Sequence, residues 1–211
     1  DPGIIRQRLG LGPYEQMVLI TMGGISGFLD DGAPFMEQLK TMGDSIHFVL
    51  PGVRQVASGG RRQENIIFLP PHSAFYHPDL VNAADAVVGK LGYSTLAEVY
   101  HAGCPFGFVA RDDFRESPVF ESFIREKMAG IKISERDFAS GAWLEKVQEL
   151  LSLPKQSPDE PNGADAAAVH ICDFLACEKE ILEIVDADGA VVGAAPRKCV
   201  HGNNRLLHRV V

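Results

Sequence analysis

The sequence has few cysteines, and they are irregularly spaced. Cys104, Cys172, Cys177 and Cys199 form no C-x-x-C pair. Scattered cysteines without this spacing indicate neither a zinc site nor a disulfide framework. We therefore expect no metal in this chain, and free thiols of the kind found in cytoplasmic proteins.

Long apolar runs and an excess of positive charge are also missing. No stretch approaches the ~20 apolar residues that a membrane-spanning helix needs, and the N-terminus has no signal-peptide pattern. The chain carries 28 acidic against 20 basic residues, a net charge of −8. An acidic chain is a poor general binder of nucleic acid or of anionic membranes, although one local anion site is compatible with it. We expect a cytoplasmic protein that binds neither nucleic acid nor a membrane.

Short apolar segments alternate with amphipathic stretches along most of the chain. This alternation is typical of an α/β fold, in which helices cover both faces of a parallel sheet and form three layers. The predicted strands are 17–21, 45–50, 66–69, 86–88, 106–109 and 130–133. The predicted helices are 4–9, 33–42, 80–84, 95–102, 119–127, 143–151 and 164–176.

The last part of the chain has a different composition. Residues 154–161 form a linker rich in proline and acid, which cannot be regular structure throughout. Further on, apolar runs at 180–185 and 190–194 flank Asp188-Gly189, a strong signal for a β-hairpin.

Two parts are therefore predicted. The α/β domain comprises 1–176, and the short tail with the β-hairpin comprises 177–211, too short to form a core of its own. The chain begins at Asp1 without methionine, so we expect that an upstream portion precedes it.

Residues 87–98 run from a predicted strand through a glycine turn into the start of a helix. The first N–H groups of a helix are unpaired and carry partial positive charge, so a phosphate can bind there. The helix-start residues are Gly92, which lets a ligand approach the backbone, and Ser94 and Thr95, which offer hydroxyl groups. Glu98, one turn later, only accepts hydrogen bonds when ionised and suits sugar hydroxyls. A helix with a Ser/Thr N-cap also begins this way without any ligand, and the segment alone does not decide between the two.

Two further loops follow predicted strands, and parallel strands place such loops at one edge of the sheet. The glycine loop (Gly23, Gly24 and Ser26) would let N–H groups approach a phosphate, but it also suits a tight turn. Phe75 and Tyr76, after the third predicted strand, are candidates for stacking on a nucleobase or for internal packing.

A charged loop follows the fifth predicted strand. Five of the seven residues at 111–117 are charged, and carboxylates beside arginines suit hydroxyl-rich sugars. The candidates here are Asp113, Arg115 and Glu116, which we call the charged-loop residues. A solvated surface loop with ion pairs explains the same composition.

Three histidines attract attention without forming a motif. His72, His77 and His101 have no motif partner nearby in the sequence. His101 lies on a predicted helix with an apolar face, which favours a structural role. No catalytic residue is assigned.

Three segments resemble one protein family. They are Gly-Lys-x-Gly-Tyr-x-Thr-x-x-Glu at 89–98, Gly-Cys-Pro-Phe at 103–106 and Arg-Asp-Asp-Phe-Arg-Glu at 111–116. Together they resemble the C-terminal, nucleotide-sugar-binding half of GT-B glycosyltransferases, and most of all the glycosyltransferase-like region of plant arabinokinases. An Asn-Gly dipeptide at 162–163 matches as well, so that the resemblance covers about 17–175. It implies a Rossmann-like domain.

The resemblance implies roles for these residues by position. The glycine loop and the helix-start residues would bind the diphosphate of a UDP- or GDP-sugar, Glu98 the ribose, and the charged-loop residues the donor sugar. Arg115-Glu116 departs from the Gln-Gln or Asp-Gln pair of many active GT-B enzymes, which leaves the donor and the transferase activity open.

The resemblance also implies a missing partner domain. An N-terminal Rossmann-like half would pack across the cleft, where it supplies the acceptor site and often the catalytic base. We therefore expect this chain to bind the donor without turnover. It would need no metal cofactor, because helix dipole and backbone donors neutralise the diphosphate.

The tail resembles a different family. The opening of a Nudix hydrolase of the isopentenyl-diphosphate-isomerase-like type is resembled by residues 183–186, 188–189, 191–193, 196–197, 201–203 and 207–211. The Nudix box, whose glutamates bind Mg²⁺, is not in the sequence. One alternative is thus a fragment of a Nudix diphosphate hydrolase fusion that needs magnesium only when complete. Another is a degenerate transferase fold that serves as a sensor or scaffold.

Overall fold

The computed structural model describes residues 1–22, 35–43, 45–54, 56–57, 59–111, 113–158, 163–175, 181–202 and 207–208. They form two compact units, Asp1–Asp159 and Glu160–Val211, and each is described by itself. The unit boundary lies before the helix at Gly163–Leu175, whereas the sequence prediction kept 1–176 together.

The first unit alternates strands and helices. Its described strands are β1 (Gln16–Thr21), β2 (Ile46–Pro51), β3 (Arg61–Gln63), β4 (Ile66–Leu69), β5 (Ala86–Lys90), β6 (Phe106–Val109) and β7 (Gly130–Ile133). Its described helices are α1 (Pro2–Arg8), α2 (Met36–Lys40), α3 (His77–Ala83), α4 (Tyr93–Ala102), α5 (Ser117–Lys127), α6 (Glu135–Ser140) and α7 (Val147–Ser152), with a 3₁₀ helix at Ala142–Lys146.

These strands form one sheet in the order β3-β4-β2-β1-β5-β6-β7. Neighbouring strands are parallel except for the edge strand β3, which is antiparallel to β4. The strands that follow β1 in the chain, β2 to β4, lie on one side of it, and β5 to β7 lie on the other side. Such a reversal opens a crevice at the carboxyl ends of the strands, where ligands of doubly wound folds bind.

Helices cover both faces of this sheet, as the apolar central strands require. Met17 and Leu19 of β1 lie in one apolar cluster, with residues of α1, α3, α4 and α5. Val18 and Ile20 lie in the other, with residues of α2, α6 and α7. Alternate residues of a strand point to opposite faces, so this arrangement explains why the strand is buried throughout. The predicted three-layer α/β fold is confirmed.

The helix boundaries differ from the predictions where local chemistry outweighs the apolar pattern. We predicted that α3 begins at Leu80, but it begins at His77, because Pro78 fits the first turn of a helix. The helix predicted at 143–151 is divided into a 3₁₀ helix and α7. β3 and α6 were not predicted.

The second unit contains an antiparallel sheet. Its described elements are α8 (Gly163–Leu175), β8 (Ile181–Val185), β9 (Val191–Pro196), α9 (Arg197–His201) and β10 (Leu207–His208), with strand order β10-β8-β9. The Asp186 carboxylate accepts the N–H groups of Asp188 and Ala190 at 3.0 and 2.9 Å, and Gly189 has a φ of 81°. Such a turn is typical of an Asp before Gly, and the predicted hairpin is confirmed.

Candidate functional site

A cavity of about 280 Å³ lies at the carboxyl edge of the sheet. It is lined by the ends of β1 and β2, by the loop after β4, and by the N-terminal parts of α3 and α4. Its described lining is Thr21, Pro51, Gly52, Pro70, Pro71, Ser73, Phe75, His77, Leu80, Ser94, Thr95 and Glu98. Because β1 and β5 are neighbours, this carboxyl-edge cavity is at the switch point of the sheet.

Three side chains in the cavity form a hydrogen-bonded series, the Thr21–His77–Glu98 chain. His77 Nδ1 lies 2.6 Å from Glu98 Oε2, and His77 Nε2 lies 3.1 Å from Thr21 Oγ1. An ionised carboxylate only accepts, so Nδ1 carries a hydrogen, and Nε2 of a neutral ring then accepts from the threonine hydroxyl. The side chains of His77 and Glu98 are 34% and 26% exposed, so a ligand can reach both.

The backbone fixes the position of Thr21 tightly. Thr21 ends β1 and pairs with Gly89 of β5. A Cβ atom added at Gly89 would lie 2.2 Å from the Thr21 carbonyl oxygen, so the two strands can approach this closely only with glycine there. His77 and Glu98 approach from helices that pack against these strands.

The start of α4 has no side-chain cap. Gly92 is the N-cap residue, in an extended conformation, and makes no side-chain hydrogen bond. Ser94 and Thr95 are helical residues, so the interpretation that one of them caps the helix is wrong. A Cβ added at Gly92 would meet no atom within 4 Å among the described residues. No described residue requires glycine here, and no side chain caps the N–H groups of the first turn, which therefore suit an anion.

The two candidates for base stacking differ in position. Phe75 is half-buried and lines the carboxyl-edge cavity, with the Arg8 guanidinium carbon 4.4 Å from its ring centre. Tyr76 is 70% exposed and does not belong to the described lining. Only Phe75 is therefore placed to contact a ligand of this cavity.

The other candidates are not brought into the cavity. The charged-loop residues Asp113, Arg115 and Glu116 are exposed and are not part of its described lining. The glycine loop, with Gly23, Gly24 and Ser26, lies outside the described residues.

Two members of the site, Thr21 and His77, are not among the residues predicted from the sequence. His77 has a partner after all, Glu98, which lies 21 positions away in the chain, and Thr21 holds its other nitrogen. One signal was present in the sequence: Thr21 ends a predicted strand, and His77 follows another. Parallel strands bring both positions to the carboxyl edge.

A larger cavity, of about 520 Å³, lies at the amino edge, where the strands begin. The charged groups in its lining bind other groups of the protein. Asp85 accepts hydrogen bonds from Arg6 at 3.1 Å and from the backbone N–H of Met17 at 2.7 Å, and Lys155 lies 3.9 Å away. These interactions join α1 to the first residues of the central strands, so we assign this cavity a structural role.

Among the described residues, Glu15 and Cys104 have shifted pKa values, and both lie away from the carboxyl-edge cavity. Hydrogen bonds from the Gly12 N–H and from His47 lower the pKa of Glu15 below 4.5. Burial raises the pKa of the Cys104 thiol to about 12. Both shifts follow from local packing and do not require a ligand.

No cluster of three or more His, Cys, Asp or Glu side chains suited to a metal ion occurs among the described residues. In this part of the chain, no helix has the length and apolar character needed to cross a membrane.

Comparisons with known proteins indicate the fold. No protein-family model matches the chain. L-arabinokinase from Arabidopsis thaliana is 33% identical over 93 residues, which are 44% of this chain and 9% of that protein. The calicheamicin glycosyltransferase CalG4 is 16% identical, with a TM-score of 0.51 over 79% of this chain and 44% of its own. A Listeria monocytogenes protein described as a UDP-N-acetylglucosamine 2-epimerase is also 16% identical, with a TM-score of 0.50 over 78% and 46%.

These likenesses show a GT-B glycosyltransferase-like fold, and they confirm the resemblance to GT-B proteins and to arabinokinase. The chain spans less than half of either solved structure. None of the three relatives described here is a Nudix hydrolase, and the resemblance of the tail to that family stays a prediction.

Proposed function

We propose that the first unit binds a nucleoside diphosphate sugar in the carboxyl-edge cavity. The observation that carries this proposal is the meeting of two features at the switch point. The uncapped start of α4 suits a phosphate, and the Thr21–His77–Glu98 chain beside it suits a sugar hydroxyl.

The diphosphate would bind at the first turn of α4. The N–H groups there carry about half a positive charge in sum, and Gly92 leaves space for a phosphate to approach them. The Ser94 and Thr95 hydroxyls lie in the same lining and can donate further hydrogen bonds. No metal ion is needed for this mode of binding.

The ribose would bind at Glu98. Oε2 of Glu98 accepts from His77, while Oε1 has no hydrogen-bond partner among the described residues and can accept from a ribose hydroxyl. Glu98 follows Thr95 by almost one helical turn, a rise of about 5 Å. This rise is comparable to the separation of phosphate and ribose in a nucleotide.

Binding without turnover is the activity that we propose for this chain. Sugar transfer also needs an acceptor and a base, and this chain spans 44% of the calicheamicin glycosyltransferase. The charged-loop residues, which the resemblance assigns to the donor sugar, lie outside the cavity lining. We therefore propose no donor sugar from the structure.

Titration calorimetry tests the proposal with UDP, GDP, UDP-glucose and GDP-glucose. We expect binding of at least one of them, and Glu98→Ala should weaken it by about tenfold or more, because it removes a charged hydrogen-bond acceptor. Glu149→Ala, at an exposed glutamate of α7, is the matched control and should bind as the unchanged chain does. Absence of binding at millimolar ligand in a folded sample would refute the proposal.

A further inference from the structure

The carboxyl-edge cavity has an unusual balance of charge for a phosphate site. Its described lining contains two titratable groups, His77 and Glu98, and no Lys or Arg. With His77 neutral and Glu98 ionised, the side chains of this lining carry a net negative charge.

Among the described residues, the cations near the cavity bind other groups of the protein or do not belong to the cavity lining. Arg8 stacks on the Phe75 ring and donates a hydrogen bond to the Ala74 carbonyl at 3.0 Å. Lys90 ends β5 but is not a lining residue. The start of α4 supplies about half a charge, which does not offset Glu98 and a bound diphosphate together.

We propose that His77 takes up a proton when a nucleotide sugar binds, so that the affinity of this cavity depends on pH. The inference rests on the proposed function and adds a regulation to it. A protonated His77 neutralises Glu98 and leaves the field of α4 for the phosphates. An anion that prefers the protonated form must by linkage bind together with a proton.

The geometry already accommodates this proton. It comes from solvent and adds to Nε2, and no other covalent bond changes. Both ring nitrogens then donate, Nδ1 to Glu98 Oε2 and Nε2 to Thr21 Oγ1, across the same 2.6 and 3.1 Å. The Thr21 hydroxyl turns from donor to acceptor, and its hydrogen becomes available to the ligand.

Among the described residues, few titratable groups face the His77 ring. Glu98 faces it from α4, and Thr21, which does not titrate, faces it from β1. The loop after β4 contributes Pro70, Pro71, Ser73 and Phe75 to the same lining, and none of these titrates. Within the described part of the site, a change in bound protons therefore belongs to His77 or Glu98.

Calorimetry with UDP-glucose and GDP-glucose measures the proton directly. Titrations in two buffers of different ionisation enthalpy, from about pH 6 to 8.5, give the number of protons bound with the ligand. Nucleotide sugars are suitable because their diphosphate has no ionisation in this range, whereas a terminal phosphate titrates near pH 6. We expect uptake that approaches one proton at the upper end and a Kd that rises by up to about tenfold per pH unit.

Two variants assign the proton. His77→Asn can still donate to Glu98 but cannot gain charge, so it should bind more weakly at pH 6, with no proton uptake and little pH dependence. His72→Asn changes an exposed histidine outside the described lining and should behave as the unchanged chain.

Histidine-labelled NMR of the unchanged chain gives a readout that does not depend on a variant folding. Both ring nitrogens of His77 should be protonated in the complex above neutral pH. A neutral ring in the complex, or uptake that persists in His77→Asn, would overturn the inference and leave the proposed function standing. Absence of binding at every pH would overturn both.

Discussion

Two carboxylate–histidine pairs lie at opposite edges of the same sheet, and their third partners differ. At the amino edge, His47 lies 2.8 Å from Glu15, and Arg62 lies 3.3 Å from the other ring nitrogen. A guanidinium only donates hydrogen bonds, so in this contact the ring nitrogen is the acceptor. At the carboxyl edge, the third partner of His77 is a hydroxyl, which can donate or accept. The first histidine therefore lies next to a group that only donates hydrogen bonds, and the second next to a group that can do both.

The Glu15 pair predicts a dependence of stability on acid. The pKa of Glu15 is lowered from 4.5 in the folded chain, so its ionised form stabilises the fold. This contribution is complete above the unfolded value and is lost as the pH falls through the lower, folded value. Glu15→Gln should reduce the free energy of unfolding at pH 7, measured with urea, and the difference from the unchanged chain should shrink below pH 4. A difference that is constant with pH would contradict this account.

Cys104 predicts a difference in thiol reactivity. Its pKa of about 12 leaves almost no thiolate at pH 8, and its side chain is buried. Cys172 and Cys199 are exposed. Brief alkylation with iodoacetamide at pH 8, followed by peptide mass spectrometry, should modify Cys172 and Cys199 and spare Cys104 until the chain is unfolded in urea. Equal labelling of all three before unfolding would be the contrary result.

At the scale of elements, α4 begins and ends at glycines with different functions. Gly103 follows its last residue with a φ of 64°, and a Cβ there would lie 2.5 Å from the backbone nitrogen of Ser157. Gly92 precedes its first residue in an extended conformation, and no described atom lies within 4 Å of a Cβ placed there. The fold therefore requires glycine at Gly103, whereas glycine at Gly92 would benefit a ligand.

This contrast predicts that replacement by alanine affects stability at one glycine and ligand binding at the other. Gly103→Ala should lower the free energy of unfolding by about 1–3 kcal/mol, because it adds backbone strain and a clash with the backbone of Gln156 and Ser157. Gly92→Ala should change stability little but weaken nucleotide binding. Urea unfolding and calorimetry on both variants measure this; if Gly92→Ala binds normally, the phosphate does not approach at that position.

Elements with a strong apolar pattern could be predicted from the sequence, whereas a strand that forms only by pairing with its neighbour could not. The bounds of β6 and β7 match the prediction, because each is a short apolar run next to glycine or proline. β3 is fully exposed and consists of Arg61, Arg62 and Gln63. It forms because Glu64, at a φ of 54°, turns the chain back along β4, and no apolar pattern reveals such a strand.

The candidate site was predicted in part for a similar reason. Ser94, Thr95 and Glu98 share one helix, so their spacing in sequence already places them together. Thr21 and His77 join them through the sheet order, which single-sequence periodicity does not determine. Residues that act within one element could be predicted, and residues that meet across elements could not.

At the scale of the whole molecule, the described apolar core of the first unit is built from residues of that unit. Both clusters of buried apolar residues consist of residues between Ile5 and Leu150. A chain that ends at Asp159 should therefore unfold cooperatively, as followed by circular dichroism in urea, and should bind nucleotide sugars with unchanged affinity. Loss of cooperative unfolding in this shorter chain would show that the second unit is needed for the fold.

The Thr21–His77–Glu98 chain joins β1, α3 and α4, which are brought together only in the folded state. An unfolded chain has no such cavity, so a ligand that binds there must favour the folded form. At a hundred times its Kd, a ligand would add about 2.7 kcal/mol to the free energy of unfolding. The melting temperature can therefore serve as a binding assay for this protein, and a library of nucleotide sugars can be ranked by the rise in melting temperature that each one causes.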